Sequence, residues 1–512
     1  MNFQTYTTSK GETLYYVGQP DTAMLEALAA GYGDIWHASF DQGFKNAFPE
    51  IVYQTVVFFW FVNDFDGLDQ CVSWRINPDA FVVRKSVWDT LQGFDATYTN
   101  PVMAAFDFGF NALRFQGAIP MYVKGLFPST TQAAPKISRQ DRYDFYRRNF
   151  KFSHALYMAF RKGWWNPLEW WAMAKAKSRL QQKIEMPVIP PKPLEPVQGN
   201  PTVSYIIPTM MRQDFTLNLL GDLKQQTYLP TQVVVVDATP ENARDALLYR
   251  PEDYPFEVIF RWQTTKGSCR ARNEAIALCT GDFIIFGDDD IRIPPDFVEN
   301  HIRLLQTYGA GAANGLDIRA DHQQQDLTDL AYKLQHYKGQ RWLVGCASTF
   351  NNANSCVRRE HVQTLVGNDI NYDGGYGEDS DFGLSLTKIG VDVLFNPFST
   401  NLHLKPPMGG YRFWGSQAKL MGKKRKAQPW ELDTPVKSIR PVPSPTIMYQ
   451  LHKHFTAEQR KEYGVKYFIF YLFKGKPLAL PLRLFRLPMR ILQYRKSVFY
   501  AKKLMALGKR TQ

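Results

Sequence analysis

No acidic residue occurs beyond Glu462, although twelve Lys and Arg lie between positions 464 and 512. Residues 405–512 hold 24 Lys plus Arg against 4 Asp plus Glu, a net of +20, so residues 1–404, with 37 basic and 44 acidic residues, carry −7. The total of +13 is therefore a property of the tail rather than of the whole surface. Cysteine is scarce and odd in number: Cys71, Cys269, Cys279, Cys346 and Cys356 show no CxxC spacing. That excludes a disulfide framework and a thiolate zinc site, and it fits a reducing compartment. No apolar run approaches the ~20 residues that a spanning helix requires. The opening MNFQTYTTSKGE has no basic segment followed by an apolar run, so no secretory leader is expected. No nucleic-acid module is legible, and nucleic acid is not an expected partner.

What is present is alternation of β-branched runs with helical segments. PTVSYIIPT (201–209) and QVVVVDAT (232–239) read as buried strands separated by an amphipathic helix over about 215–226. TTKGSCRARNEAIALCTGD (264–282) gives a glycine turn, a helix and the approach to a further strand, FIIF. Such continuous apolar strands indicate a parallel sheet covered on both faces, with ligands bound off the C-terminal strand ends. Pro208 and Thr209 end one strand and Asp237 the next, which suits them to read a base and ribose. Arg270 and Arg272, at the helix start, can face phosphate oxygens, as can the free N–H groups there.

Two acidic clusters carry the chemistry. FIIF delivers Asp288, Asp289 and Asp290 to its end, and about ninety residues later comes GYGEDSDFG (375–383), with His403 beyond it. Asp288 and Asp290, two apart on an extended chain, point the same way and suit a divalent cation that bridges two phosphates. His403 is a candidate third ligand. A carboxylate within reach of an acceptor hydroxyl is an adequate general base when the leaving group is stabilised. Asp379 is assigned that role, with Glu378 to orient it or hold the acceptor. Asp381 reads as a structural residue at a helix start.

The order PT…R, VVVVD, ARN, GDDD, GEDSDFG, LH, over about residues 201–405, resembles the family-2 glycosyltransferases of GT-A fold. The resemblance implies an inverting transfer from a nucleotide sugar, usually a UDP sugar, with Mn or Mg. By position it implies a donor-binding set of Pro208, Thr209, Arg212, Asp237, Gly267, Arg272, Asn273, Asp288 and Asp289. Asp288, Asp290 and His403 would hold the metal, and Glu378 with Asp379 match the pair that supplies the base. Two positions depart from the pattern: Ala238 follows Asp237, and Gly287 precedes the triplet where a bulky apolar residue is usual.

The first half repeats part of the second. Residues 81–110 align without a gap on 355–384 at an offset of 274, pairing Arg84 with Arg358, Gly93 with Gly367, Asp95 with Asp369 and Asp107 with Asp381. Ala104 and Ala105 occupy the places of Glu378 and Asp379, so the N-terminal copy is expected to be a truncated, non-catalytic GT-A-like α/β domain over 1–135. Residues 136–200 follow as a helical segment bearing Trp164, Trp165, Trp170 and Trp171, expected to pack on a neighbouring domain, and a semi-rigid Pro-rich linker. Residues 201–410 form the α/β catalytic domain, and 411–512 a basic amphipathic helical region suited to an anionic membrane surface. The expected function is transfer to a glycan or lipid-linked acceptor in surface polysaccharide synthesis, in the cytoplasm at the inner membrane face. A metal-dependent nucleotidyltransferase and a non-catalytic sugar-binding scaffold are the alternatives.

Overall fold

The computed structural model describes residues 1–38, 67–129, 137–176, 186–245, 248–263, 266–337, 342–347, 350–404, 406, 409–411, 427–473 and 475–512. Asp64 and Asp66, acidic residues in the span expected to be a degenerate copy, lie outside the described residues.

Two mixed sheets organise the chain. The first comprises β1 (Gln4–Thr7), β2 (Thr13–Val17), β3 (Ile35–His37), β4 (Gln70–Val72), β5 (Phe81–Arg84) and β6 (Pro120–Val123), in the order β1-β2-β5-β3-β6-β4. Helices α1 (Thr22–Ala30), α2 (Lys85–Leu91) and α3 (Pro101–Phe115) accompany it. Helix α3 is buried from Met103 to Leu113, because its positions are apolar on nearly every side. Beyond the sheet come α4 (Arg139–Asn149), α5 (Phe152–Gly163) and α6 (Pro167–Lys175).

The second sheet contains β7 (Val203–Thr209), β8 (Gln232–Asp237), β9 (Glu257–Trp262), β10 (Phe283–Gly287), β11 (Ile291–Arg292), β12 (Ala312–Arg319), β13 (Asn354–Arg358) and β14 (Val393–His403). Its order is β11-β14-β12-β13-β10-β7-β8-β9. Strands β10, β7, β8 and β9 run parallel, and β13 is antiparallel to both of its neighbours. Ile206, Ile207 and Val233 to Val236 are fully buried, as continuous apolar strands covered on both faces must be. Connecting the strands are α7 (Gln213–Lys224), α8 (Ser268–Leu278), α9 (Phe297–Tyr308), α10 (Leu327–Gln335), α11 (Arg359–Leu365) and α12 (Glu378–Lys388). The mixed α/β fold expected from sequence is the one observed.

Gly287 has a packing reason. A Cβ there would overlap the ring and hydroxyl of Tyr205, which is fully buried on the neighbouring β7. The bulk missing at Gly287 is supplied from the adjacent strand.

The Pro-rich segment 186–201 is docked rather than free. Lys192, Glu195 and Gln198 donate their backbone N–H groups to Tyr308 (2.8 Å), Thr307 (3.0 Å) and Gln306 (2.9 Å), a strap along the end of α9. Proline-rich sequence is extended in either case, so composition alone does not separate a spacer from a strap.

The C-terminal region forms α13 (Pro445–His454), α14 (Ala457–Phe473), α15 (Leu480–Phe485) and α16 (Leu487–Leu507). Met448, Tyr449 and Leu451 of α13 and Tyr500, Ala501 and Leu504 of α16 are in the core. The last residues clasp the second sheet's unit: Arg510 O accepts from Ile370 N at 2.8 Å, and Thr511 O accepts from Asn273 Nδ2 at 2.9 Å. No helix among the described residues is long and apolar enough to cross a membrane.

Candidate active site

Strand β10 ends at Gly287, and the three carboxylates that follow diverge. Asp288 accepts from Arg272 Nη2 at 2.7 Å. Asp289 accepts from Thr209 Oγ1 at 2.7 Å, and Arg212 Nη1 lies 3.0 Å from both Asp289 and Asp290. Burial pushes the Asp289 carboxyl up to about 7 against the opposing pull of Arg212. The chain then pairs β11 with β14, setting Ile291 opposite His403. That register brings His403 Nε2 to 3.3 Å from Asp290 Oδ1.

The other imidazole edge is held by Asp317, whose Oδ1 lies 3.0 Å from His403 Nδ1. Asp317 comes from β12, which runs parallel to β14 and also accepts from Asn401 Nδ2 at 2.8 Å through the same carboxylate oxygen. Burial opposes charge on His403, but the Asp290 and Asp317 carboxylates outweigh it and push the imidazole up to about 10. One ligand atom from each of Asp288, Asp290 and His403 lies within 4.8 Å of the others, the one such grouping among the described residues. Two carboxylates and, once its Nε2 proton has left, an imidazole make a donor set that fits Mn or Mg, with Asp317 orienting the histidine from behind.

Across the cleft, α12 starts after Gly377, whose φ of +105° favours glycine. Its first turn presents Glu378 and Asp379. Asp379 accepts from the Asn352 side-chain amide. Between the two walls sits Arg272, buried on α8, with its Nε and Nη1 donors lacking a partner among the described residues. A cavity of about 300 Å³ joins these groups, lined among others by Arg212, Arg272, Asp288, Asp290, Asp379 and His403.

Of the residues picked from sequence, Pro208, Asp289 and Glu378 also line this cavity. Four do not. Thr209 lies beneath it, bonded to Asp289. Asp237 is buried, accepting from Thr239 N at 2.7 Å and Tyr249 Oη at 3.1 Å. Gly267 precedes α8 where a Cβ would overlap Asp373, whose carboxylate accepts from Cys269 N at 2.8 Å. Asn273 faces away, with its amide bonded to Asn368 O at 2.8 Å as well as to Thr511. Asp381 accepts from Tyr372 Oη at 2.9 Å and His454 Nε2 at 2.6 Å, tying α12 to α13. Sequence reasoning missed Asp317, Asn352 and Asp373. Asp373, immediately before GGYGED, was the one with a local signal.

Residues 204–365 match the model of glycosyl transferase family 2. This span holds the parallel strands, α8 and the acidic triplet, and it ends before Glu378 and His403. The chain is 27% identical over 186 residues to the succinoglycan biosynthesis protein ExoM of Rhizobium meliloti (strain 1021), covering 36% of this chain and 59% of that one. It is 31% identical over 108 residues to the putative glycosyltransferase EpsH of Bacillus subtilis (strain 168), covering 20% and 30%. The matches thus span about three fifths or less of those relatives' lengths. Among solved structures, S. aureus TarS 1-349 in complex with UDP-GlcNAc overlaps 60% of this chain and 83% of its own at TM-score 0.38 and 14% identity. The mannosyltransferase PcManGT from Pyrobaculum calidifontis, in complex with GDP-Man and Mn2+, overlaps 61% and 89% at TM-score 0.35 and 18% identity. The family model and the curated relatives give the class of this part of the chain as glycosyltransferase. Within that class, residues 204–365 are a glycosyl transferase family 2 domain.

Proposed function

We propose that the chain transfers a sugar, with inversion, from a nucleotide diphosphate donor, a UDP sugar, to a hydroxyl of a glycan or lipid-linked acceptor in surface polysaccharide synthesis. The observation that carries this reading is Arg272. A buried guanidinium with two N–H donors that have no partner among the described residues, beside Asp288 and at the cavity, suits phosphate oxygens. Asp288, Asp290 and His403 would hold Mn or Mg, which, when bound, offsets charge on the leaving diphosphate. Arg212 anchors Asp289 and Asp290, so the acidic wall keeps its shape. Asp379 takes the acceptor's proton as the acceptor oxygen bonds to the anomeric carbon and the carbon–oxygen bond to the diphosphate breaks. Asn352 fixes the Asp379 carboxylate from behind, and Glu378 steadies the acceptor. Incubating the protein with Mn and a panel of nucleotide sugars tests this. Release of nucleoside diphosphate is the expected outcome, whereas pyrophosphate points to a nucleotidyltransferase and no turnover to a scaffold.

Residues 1–135 are read as a degenerate copy of the unit at 201–410. Supporting this, Tyr98 Oη donates to Asp107 at 3.1 Å as Tyr372 Oη does to Asp381, and both pairs stand at the offset of 274. Gln92 and Val366, also at that offset, share a left-handed conformation after α2 and α11. Asn149 Nδ2 meets Asp107 at 2.6 Å where His454 Nε2 meets Asp381. Residues 411–512 are read as the attachment to an anionic membrane, at the inner face in the cytoplasm. Its support is the acid-free sequence after Glu462 together with exposed Phe473, Leu478 and Phe485.

A further inference from the structure

Three of the four tryptophans that the sequence suggests are packed on a neighbouring domain, Trp164, Trp165 and Trp171, are exposed. Helix α5 and its C-cap present Phe152, Leu156, Phe160 and Trp164 at four-residue intervals, a single stripe along one face, and all four are exposed. At the turn into α6 the stripe widens: Trp165 is 72% exposed and Trp171 63%. Trp170 turns inward instead, its Nε1 donating to Trp164 O at 2.9 Å, which fixes the corner. A contiguous apolar face of this kind marks an interaction surface.

The charge around it selects the partner. Residues 137–176 hold eight Lys and Arg and three acids. None of the acids is exposed, and Glu169 is buried against Arg139 (2.7 Å) and Tyr143 (2.8 Å). Lys151 and Lys175 are exposed at the rim, and Lys175 Nζ lies 5.0 Å from the Trp171 ring centre. Indoles beside ammonium groups suit the headgroup level of an anionic bilayer, where one end of each side chain is apolar and the other wet. The face is also joined to the tail. Arg161 Nε and Tyr157 Oη both donate to Glu462 Oε2, at 3.0 Å and 3.2 Å, fastening α5 against α14, which bears exposed Phe470 and Phe473.

We propose that the α5–α6 face is a membrane-contact element for anionic phospholipid, acting beside the C-terminal helices; the proposal rests on the reading that this chain works at an anionic membrane surface. It is tested on the full chain with vesicles of phosphatidylcholine containing a minor share of phosphatidylserine, with and without brominated acyl chains. Wild-type protein should co-sediment, and brominated chains should quench its tryptophan emission. The double variant W164S/W165S should lose roughly tenfold or more in partitioning and most of the quenching, while its thermal unfolding midpoint stays in place because both rings are exposed. The variant F473D/F485D reports on the tail separately. Wild-type binding that W164S/W165S retains in full would overturn the α5–α6 assignment and leave the tail reading standing. Absence of wild-type binding would overturn both. A change in oligomeric mass in W164S/W165S without vesicle binding by wild type would assign the face to a second copy and overturn the lipid assignment.

Discussion

His403 is held from both sides, with Nδ1 3.0 Å from Asp317 and Nε2 3.3 Å from Asp290. The Asp317 contact fixes which edge of the ring faces the acidic triplet.

Asp317→Ala should therefore lower Mn-dependent donor affinity by about 10–100-fold, the usual consequence of losing a carboxylate behind a ligating histidine. Manganese titration of donor binding checks this. Unchanged manganese dependence would remove Asp317 from the site and leave it a strand-pairing residue.

Asp379→Asn keeps size and the contact with Asn352 but removes the proton acceptor. Turnover should fall by roughly 10² or more, with donor affinity little changed. Steady-state rates beside equilibrium donor binding separate the two effects. Near-normal turnover would move the base to Glu378.

Asp381 offers a pH test of the fold that leaves catalysis aside. Burial opposes its charge, but His454 and Lys453 overcome that and hold the carboxyl at about 2. The unfolded value is about 3.9, so its stabilisation is complete above that pH and is lost as pH falls towards 2. Asp381→Ala should cost about 3 kcal/mol near neutral pH, at the low end for a broken buried pair, because buried His454 loses its acceptor while half-buried Lys453 keeps Asp369 at 2.9 Å. Denaturant unfolding should show the gap between variant and wild type narrowing below pH ~4. A gap that stays constant across that range would contradict the assignment.

Much of the second sheet was legible because its strands are continuous β-branched runs that do not fit a helix period. Asp288 and Asp290 were legible because they stand two apart just past the end of an apolar strand, and His403 because it closes another strand, β14. Asp317 was not: a single acid in the strand AANGLDIR gives no signal until β12 pairs with β14 and places it behind His403. Asn273 shows the converse. Its motif pointed to the donor, yet its side chain holds the loop at Asn368 and the segment after α16 at Thr511, a contact between residues 238 apart that no local pattern contains. The orientation of Trp164 and Trp165 was likewise hidden, since helical spacing gives a stripe without saying what covers it.

The most direct test of the account is calorimetric titration of the preferred nucleotide sugar into wild-type and Asp290→Ala protein, with and without Mn. Removing a buried carboxylate that stands with Asp288 and His403 within 4.8 Å should abolish the Mn-dependent part of the affinity while the protein stays folded. Equal Mn-dependent affinity in the two proteins would contradict the metal-assisted diphosphate site on which the proposed transfer depends.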